Sequence, residues 1–374
     1  MKISDKYQKN RTYYYYNKFY RMMKYYSIKH YRKDVKKYYL KKGDKLSKNQ
    51  IKKIKKYWRR YIRDFDINFH VYYINRNGKF DVRYIPDDIY ANYIDPYFNN
   101  RQIESAFSDK NFLELYLHGF NLPKSYVHLV NGTYLNSNYQ IITENEAVDI
   151  LISKKNFVAK PSMLSFGGQN INYFENPTTE RVKAFLDSLD FKNMIFQETV
   201  IQNEMMSKLH PQSLNTIRVM TLMIKNRIVT LKPILRVVTG DAKIGNEGVG
   251  ELFIGIYNNG SLTNFAFDIF GNRYDDKVND VKLMDCYIPE IKKVKEICIE
   301  AAPVFSHFRL ISWDIAINQD NEPVIIEANL NMGNIDIVQP IWGPIFGEYT
   351  DLVLDEVFLN LKSKKEYINV DVYM

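Results

Sequence analysis

Apolar runs separated by polar turns divide the second half of this chain into strands and helices. Over residues 157–361 they predict a strand, a glycine-ended loop, a second strand, a helix, several long strands, another helix and a final hairpin. Several strands follow one another directly instead of alternating regularly with helices, which is typical of an α+β arrangement. We therefore expect an α+β fold for residues 156–374.

The first 65 residues show helical spacing instead. Ser47 with Gln50 three residues later is a capping-box signal, and the apolar side chains after it recur on one helical face. These side chains are Ile51, Ile54, Trp58, Tyr61 and Ile62. A second helix-like stretch, residues 17–40, precedes a break at Gly43. Residues 1–65 are thus predicted to form a helical hairpin that extends the fold at its N-terminal end.

Residues 66–155 are less regular. Alternating apolar and polar residues predict short strands at 68–75 and 79–85, with a turn between them. A helix is predicted over residues 109–118 and is ended by the glycine and proline that follow it. The chain therefore divides into three predicted segments, which are residues 1–65, 66–155 and 156–374.

Charge is distributed unevenly along these segments. The 374 residues include 52 Lys and Arg against 43 Asp and Glu, a net charge of +9. Residues 1–63 alone carry 23 basic and three acidic residues, hence +20, and the rest of the chain carries −11. The basic segment is interpreted as a solvated helical appendage packed on the body, or as a docking element for an anionic membrane, an acidic glycan or a partner protein. Nucleic acid is not expected as a partner, because no nucleic-acid-binding motif accompanies the charge.

Cysteine content and hydropathy indicate a reducing compartment. Cys286 and Cys298 are too few for a disulfide framework and do not have a metal-binding spacing. The N-terminal residues are polar, and no run of about 18 apolar residues occurs in the chain. We expect no signal peptide and no spanning helix, hence a cytoplasmic protein that lies at the inner face of the membrane if the basic segment docks there.

The last hairpin carries a specific chemical signal. Two strand-like runs, residues 310–318 and 323–330, are joined by a polar turn. A turn centred at the middle of this connection places Asp314 opposite Glu327, with Asn329 on the same face. The residues expected on the opposite, apolar face are Ile315, Ile317, Val324 and Ile326.

Like charges on directly opposite residues of paired strands destabilise a sheet. Two carboxylates that face each other are therefore expected to have a cation between them. Asp314, Glu327 and the amide oxygen of Asn329 are hard ligands that suit Mg²⁺, which completes its shell with water and phosphate oxygens. The hairpin therefore predicts a magnesium site, with a solvated polar face as the alternative.

Basic residues and glycine loops upstream suit a phosphate. Lys160 ends a short strand and precedes the glycine-ended loop 162–168. Arg218 and Arg236 are expected within about a residue of facing each other across a fold-back, where an anion between them would relieve their repulsion. Asn246, in a second glycine-rich loop, is a further polar candidate. An ordinary turn and exposed arginines are the alternatives.

The order of these features resembles the ATP-grasp superfamily: a lysine strand, a glycine loop, a hinge, an Asn-Thr-Ile-Arg strand and a Trp-Asp…Glu-x-Asn hairpin. Three runs are most similar to the sugar-transfer-associated and teichuronic-acid-type proteins of that superfamily: SDKNFLELYLHGFNLP (108–123), LHPQSLNTIRVMTL (209–222) and SWDIAINQDNEPVIIEANLNMG (312–333). The resemblance covers residues 107–357. It implies two α+β subdomains that clasp ATP, with the middle segment as a pre-grasp region and the basic extension before it.

Matched position by position, the resemblance implies a role for residues of each element. The ATP-binding residues would be Lys110 and Lys160 at the phosphates, Ser165, Gly167 and Gly168 in the flap, Glu198 and Val200 at adenine, and Glu204 at ribose. The Mg²⁺ ligands would be Asp314, Glu327 and Asn329. The transferring phosphoryl group or acyl phosphate would be neutralised by Arg218 and Arg236, with Asn246 near the reacting groups.

The implied activity is that of an ATP- and Mg²⁺-dependent ligase, in which a carboxylate is activated as an acyl phosphate and an amine or similar nucleophile displaces phosphate. The expected substrates are a small-molecule carboxylate and an amine or sugar, in surface or capsular polysaccharide biosynthesis. Two alternatives are a sugar phosphotransferase on the same scaffold and a non-catalytic protein that binds a glycan or scaffolds a partner enzyme.

Overall fold

Two main antiparallel sheets, a separate two-stranded hairpin and the helices around them confirm the predicted α+β fold. The computed structural model describes residues 4–163, 170–190, 192–240 and 250–359. The helices are α1 (Ser4–Asp34), α2 (Lys48–Trp58), α3 (Asn68–Asn77), α4 (Asp87–Ile89), α5 (Asp95–Phe98), α6 (Glu104–Phe107), α7 (Leu113–Tyr116), α8 (Glu144–Ile152), α9 (Thr179–Asp187), α10 (Glu204–Leu209), α11 (Ile291–Ala301), α12 (Gln339–Trp342) and α13 (Thr350–Leu354). The strands are β1 (Ser125–Val130), β2 (Thr133–Asn136), β3 (Asn156–Pro161), β4 (Asn172–Glu175), β5 (Met194–Gln197), β6 (Thr216–Ile224), β7 (Arg227–Thr230), β8 (Ile234–Val238), β9 (Glu251–Ile256), β10 (Leu262–Phe267), β11 (Arg273–Asp275), β12 (Lys277–Val278), β13 (Val281–Lys282), β14 (Leu310–Ile317) and β15 (Pro323–Asn329).

The smaller sheet has the strand order β2-β1-β5-β3-β4. One of its faces packs against α8 and α9 in a single apolar cluster. Strand β3 shows how this face is selected, because Phe157 and Ala159 are buried in that cluster while Val158 and Lys160 alternate with them. Lys160 is therefore directed to the opposite face of the sheet.

The larger sheet has the order β11-β10-β9-β8-β6-β14-β15, and β7 pairs with the second half of β6 on the edge opposite β14. Its central strands are buried on both faces: in β6, Val219 belongs to one core cluster and Met220 and Leu222 belong to the other. This double burial explains why β6 and β14 have nearly continuous apolar sequences. The polar residues Arg218 and Asp314 interrupt these sequences, and they are themselves buried.

The basic N-terminal segment contributes to one of these two cores. Helix α2 begins with the predicted capping box, since Ser47 accepts a hydrogen bond from the Gln50 amide and the Gln50 side chain accepts one from the Ser47 amide. Ile54 and Trp58 are fully buried, and the Trp58 indole donates to the carbonyl of Val82 at 2.9 Å. The apolar stripe thus packs on the body, and the charged side chains of α2 surround it.

Ion pairs add to this attachment. Arg32 on α1 donates to Asp88 at 2.7 Å, and Arg76 on α3 pairs with Asp44 at 2.9 Å. Both acceptor carboxylates are largely buried. None of the helices in the described part of the chain is long and apolar enough to cross a membrane.

The middle segment differs from the sequence prediction. Residues 68–75, predicted as a strand, form most of helix α3, and residues 79–85 contain no strand. Buried residues run without interruption from Phe69 to Ile74, so the alternation that a half-buried strand requires is absent. Gly78, at a φ of 77°, accommodates the left-handed turn that ends the helix. The helix predicted at 109–118 is divided into a 3₁₀ turn, Lys110–Phe112, and the short α7.

We predict that Trp58→Ala destabilises the whole protein. The substitution empties a fully buried indole site that the body shares, so the free energy of unfolding should fall by about 3–5 kcal/mol. Urea unfolding followed by circular dichroism measures this change. Tyr38→Ala, in the same basic segment but 51% exposed, is the control and should cost about 0.5 kcal/mol or less. An unchanged unfolding curve for Trp58→Ala would show that the segment does not share the core.

Candidate functional site

Two adjoining cavities lie between the smaller sheet and the larger sheet. The first, about 400 Å³, is bounded by the segment that follows β5 and by the ends of β3 and β8. The second, about 800 Å³, extends towards α1 and the segment after β15. Five residues line both cavities: Lys160, Ile171, Arg236, Asp314 and Ile326. The predicted phosphate-binding and acidic residues therefore meet where the cavities join.

The hairpin of β14 and β15 has the predicted carboxylate pairing. Asp314 lies opposite Glu327, and Ser312 lies opposite Asn329. A β-bulge directly after Asp314 shifts the register, so that Ile315 faces Ile325. The prediction that Ile326 packs on the apolar face is therefore wrong, because the bulge leaves this side chain lining both cavities.

An anion does lie between the two arginines, and it is Asp314 itself. Arg218 donates to Asp314 through Nε at 2.9 Å and Nη2 at 2.8 Å, and Arg236 Nη1 donates to Asp314 Oδ2 at 3.1 Å. Burial alone would raise the pKa of Asp314, but the two guanidinium groups hold it below its usual value. The arginines are offset more than predicted, since Arg236 faces Thr216 and lies two residues from the position opposite Arg218.

Glu251 completes this network and is not among the site residues predicted from the sequence. It accepts from Arg236 Nε at 2.8 Å and Nη2 at 3.2 Å, and it is 6% exposed. The available signal was a single carboxylate at the start of an otherwise apolar strand, next to a glycine-rich loop. Its pairing with Arg236 depends on the alignment of β8 with β9, which sequence spacing alone does not determine.

Two lysines from different elements face the hairpin. Lys110 Nζ lies 2.8 Å from Glu327 Oε1. Burial and the nearby charge of Lys110 lower the pKa of Lys160 to about 8, although Glu327 opposes this effect. Two neighbouring cations in a desolvated cleft suit a polyphosphate, whose charge would offset their repulsion.

The predicted adenine hinge lines the first cavity. Glu198 and Val200 are both in its wall. The Glu198 amide donates to the Lys124 carbonyl at 2.9 Å, and the Glu198 carboxylate accepts from the Lys124 amide at 3.0 Å. These reciprocal bonds hold the hinge against Lys124, the residue directly before β1.

Other predicted residues lie elsewhere. Glu204, predicted at the ribose, is outside both cavities, and its exposed side chain pairs with Lys208 at 3.2 Å. Gln202 and Ser207 of the same segment line the first cavity instead. Four predicted residues lie outside the described part of the chain: Ser165, Gly167, Gly168 and Asn246.

The predicted metal ligands lie close together, and each of them already interacts with a protein side chain. Asn329 Nδ2 lies 3.4 Å from Asp314 Oδ2, while Glu327 is paired with Lys110. Within the described residues, no group of three or more His, Cys, Asp or Glu side chains could hold a metal. Two carboxylates and an amide nevertheless fit Mg²⁺ that takes its remaining ligands from phosphate and water. Binding Mg²⁺ here requires Asp314 to be shared with the arginines.

The sequence of this chain matches the profile of a known family. A sequence profile described as sugar-transfer associated ATP-grasp matches residues 89–340. Among curated proteins, none matches the chain.

Solved structures with a similar arrangement are remote in sequence. The ATP-grasp ligase PsnB complexed with a minimal precursor is 16% identical, with a TM-score of 0.41, 69% of this chain and 63% of that chain covered. Carboxyaminoimidazole ribonucleotide synthase from Aspergillus clavatus, complexed with ATP, is 11% identical, with a TM-score of 0.36 and coverage of 63% and 46%. The D-alanine-D-alanine ligase from Coxiella burnetii is 13% identical, with a TM-score of 0.39 and coverage of 72% and 63%.

The chain thus spans less than two thirds of the length of these three structures. The profile match, in contrast, includes the β14–β15 hairpin, Arg218, Arg236 and both cleft lysines. It extends over more than half of the chain, and the resemblance stated from the sequence is confirmed. The chain belongs to the sugar-transfer associated ATP-grasp family.

Proposed function

We propose that this protein is an ATP- and Mg²⁺-dependent ligase that activates a carboxylate as an acyl phosphate and transfers the acyl group to an amine. The observation that carries this proposal is the set of four cationic side chains that line the second cavity, two of which also line the first: Lys160 and Arg236 line both cavities, and Lys110 and Arg218 line the second. The first cavity has the size of a nucleoside site, and the second leaves room beyond the phosphates for substrates.

The residues of the junction have separable tasks. Bound Mg²⁺ would be held by Asp314, Glu327 and Asn329 and would neutralise charge on the phosphate oxygens. Arg236 borders both cavities, so it is placed to contact the phosphoryl group as it passes from nucleotide to carboxylate. Asp314 and Glu251 orient its guanidinium group through opposite edges. Lys110 and Lys160 bind the phosphates that remain.

The biological setting is proposed from the family description. A role in surface or capsular polysaccharide biosynthesis, in the cytoplasm, agrees with a sugar-transfer associated family. Residues 1–63 add a net charge of +20, and the lysines of α2 remain exposed. This charge supports docking on an anionic membrane or glycan, while the apolar stripe of the same segment is used in the core.

The decisive experiment traces an ¹⁸O label from the carboxylate substrate to inorganic phosphate. Purified protein is incubated with ATP, Mg²⁺ and pools of carboxylates and amines, and ADP release identifies the active pair. The carboxylate is then supplied with ¹⁸O, and a ligase that forms an acyl phosphate must transfer one labelled oxygen to inorganic phosphate. Unlabelled phosphate attached to a product would indicate a sugar phosphotransferase. Absence of ATP–Mg²⁺ binding would contradict any ATP-dependent function.

We predict that Glu327→Gln lowers turnover by about 10²–10³-fold, because it removes a charged metal ligand that acts on the developing phosphate charge. The thermal midpoint should change little, since this side chain is 30% exposed. Glu322→Gln, an exposed change of the same charge in the same hairpin, is the matched control. Equal activities of the two variants would refute the metal assignment.

We predict that ATP–Mg²⁺ binding weakens as pH rises above about 8. The pKa of Lys160 is lowered to about 8 in the folded protein, so its positive charge is present below that pH and is lost above it. The Kd for ATP–Mg²⁺ should rise by up to about tenfold per pH unit, the limit for one proton. Calorimetry at pH 7 and at about pH 9.5 tests this, and Lys160→Met should bind weakly at both values. A pH-independent Kd in the wild-type protein would contradict the assignment.

A further inference from the structure

The second cavity extends beyond the phosphate-binding residues to a wall that the proposed ATP chemistry does not use. We call it the distal wall. Its members come from α1, from the segment containing α4 and from strands and loops after β13: Tyr31, Asp34, Asp87, Tyr90, Ser312 and Asp336. Because α1 belongs to the basic N-terminal segment, that segment borders the cavity in which a substrate would lie.

Two hydroxyl groups in this wall are buried. Tyr90 is 4% exposed and Ser312 is 1% exposed, and neither hydroxyl has a hydrogen-bond partner among the residues that the structure describes. They converge on Gly333, where an added Cβ would collide with Ser312 Oγ and lie 3.3 Å from Tyr90 Oη. An unmet buried hydroxyl is unfavourable, so both groups suit a ligand that carries its own hydrogen-bonding groups.

Three carboxyl groups of the distal wall line the same cavity as these hydroxyls. The Tyr73 hydroxyl donates to Asp87 Oδ1, and burial together with the charge of Asp336 raises the pKa of Asp87 well above its usual value. Asp34 adds a third carboxylate, 3.1 Å from His30 Nε2. A cation placed beside Asp87 and Asp336 would favour the charged form of both carboxyl groups.

The cation fits an ammonium group better than a metal. Within the described residues, the carboxylates of the distal wall do not form a group of three that could hold a metal by themselves. Aromatic rings also line this part of the cavity: Tyr31, Tyr39, Phe69 and Tyr90. Flat aromatic faces pack against the C–H groups of a small ring, and the hydroxyl groups of such a ring can bond to polar side chains.

We propose that the distal wall binds the acceptor substrate, and that this acceptor is a primary amine on a small polyhydroxylated ring, an amino sugar. Its ammonium group lies between Asp87 and Asp336, and its hydroxyl groups meet Tyr90 and Ser312. The inference rests on the proposed ligase function only in making this ligand the acceptor substrate. The binding of the ligand to the distal wall can be tested without ATP. Helix α1 is thereby part of the substrate site.

The test uses D-glucosamine as the probe and D-glucose as its neutral counterpart. Saturation-transfer NMR on the full-length protein, without nucleotide, should detect glucosamine and should show at least about tenfold weaker binding of glucose. Asp87→Asn keeps an acceptor for the Tyr73 hydroxyl but removes the charge, and it should weaken glucosamine binding by about tenfold.

Two further variants keep the result interpretable. Tyr90→Phe removes a hydroxyl that has no hydrogen-bond partner among the described residues, so it should leave the fold intact. It should nevertheless weaken the binding of glucosamine. Asp149→Asn, exposed on α8 and remote from both cavities, makes the same change of charge and should leave binding unchanged.

Equal binding of glucose and glucosamine, or glucosamine binding that is insensitive to Asp87→Asn and Tyr90→Phe, would overturn the proposal. So would the absence of glucosamine binding in a protein that binds ATP–Mg²⁺, and that outcome would leave the ligase function standing. Binding of glucosamine without any binding of ATP–Mg²⁺ would retain the site and refute the ligase function.

Discussion

The structure of the cleft depends on a buried network of four ionised side chains. Arg218, Arg236, Glu251 and Asp314 come from β6, β8, β9 and β14, which are four consecutive strands of the larger sheet. A buried charge that loses its partner is strongly destabilising. A slip of any of these strands by one residue would move a charge into the apolar layer beneath, so the network specifies the register of the sheet.

The same network prepares the cleft for anions. Asp314 and Glu251 pair with the arginines, and Glu327 pairs with Lys110. Four cations and three carboxylates leave the junction positive, in a body whose net charge is negative. The cationic groups are therefore held in place before a phosphate arrives, which lowers the cost of organising them during binding and catalysis.

The basic N-terminal segment has two physically different sides. Ile54 and Trp58 are buried in the core that also covers one face of the larger sheet, and exposed lysines and arginines surround them. Tyr31 and Asp34 border the second cavity. The net charge of this segment reflects mainly the side chains that face solvent. Its inner side makes it structurally continuous with the body and brings it close to the chemistry.

Local patterns in the sequence determined the capping box at Ser47, the family resemblance and the pairing of Asp314 with Glu327, because capping and strand alternation act over a few residues. Tertiary structure decided what those residues contact. The bulge that turns Ile326 into the cleft, the pairing of Glu251 with Arg236 and the helical state of residues 68–77 all depend on neighbours distant in sequence. Continuous burial from 69 to 74 hides the 3.6-residue apolar period that would have marked a helix. Ion pairing between strands requires a register that no single strand contains.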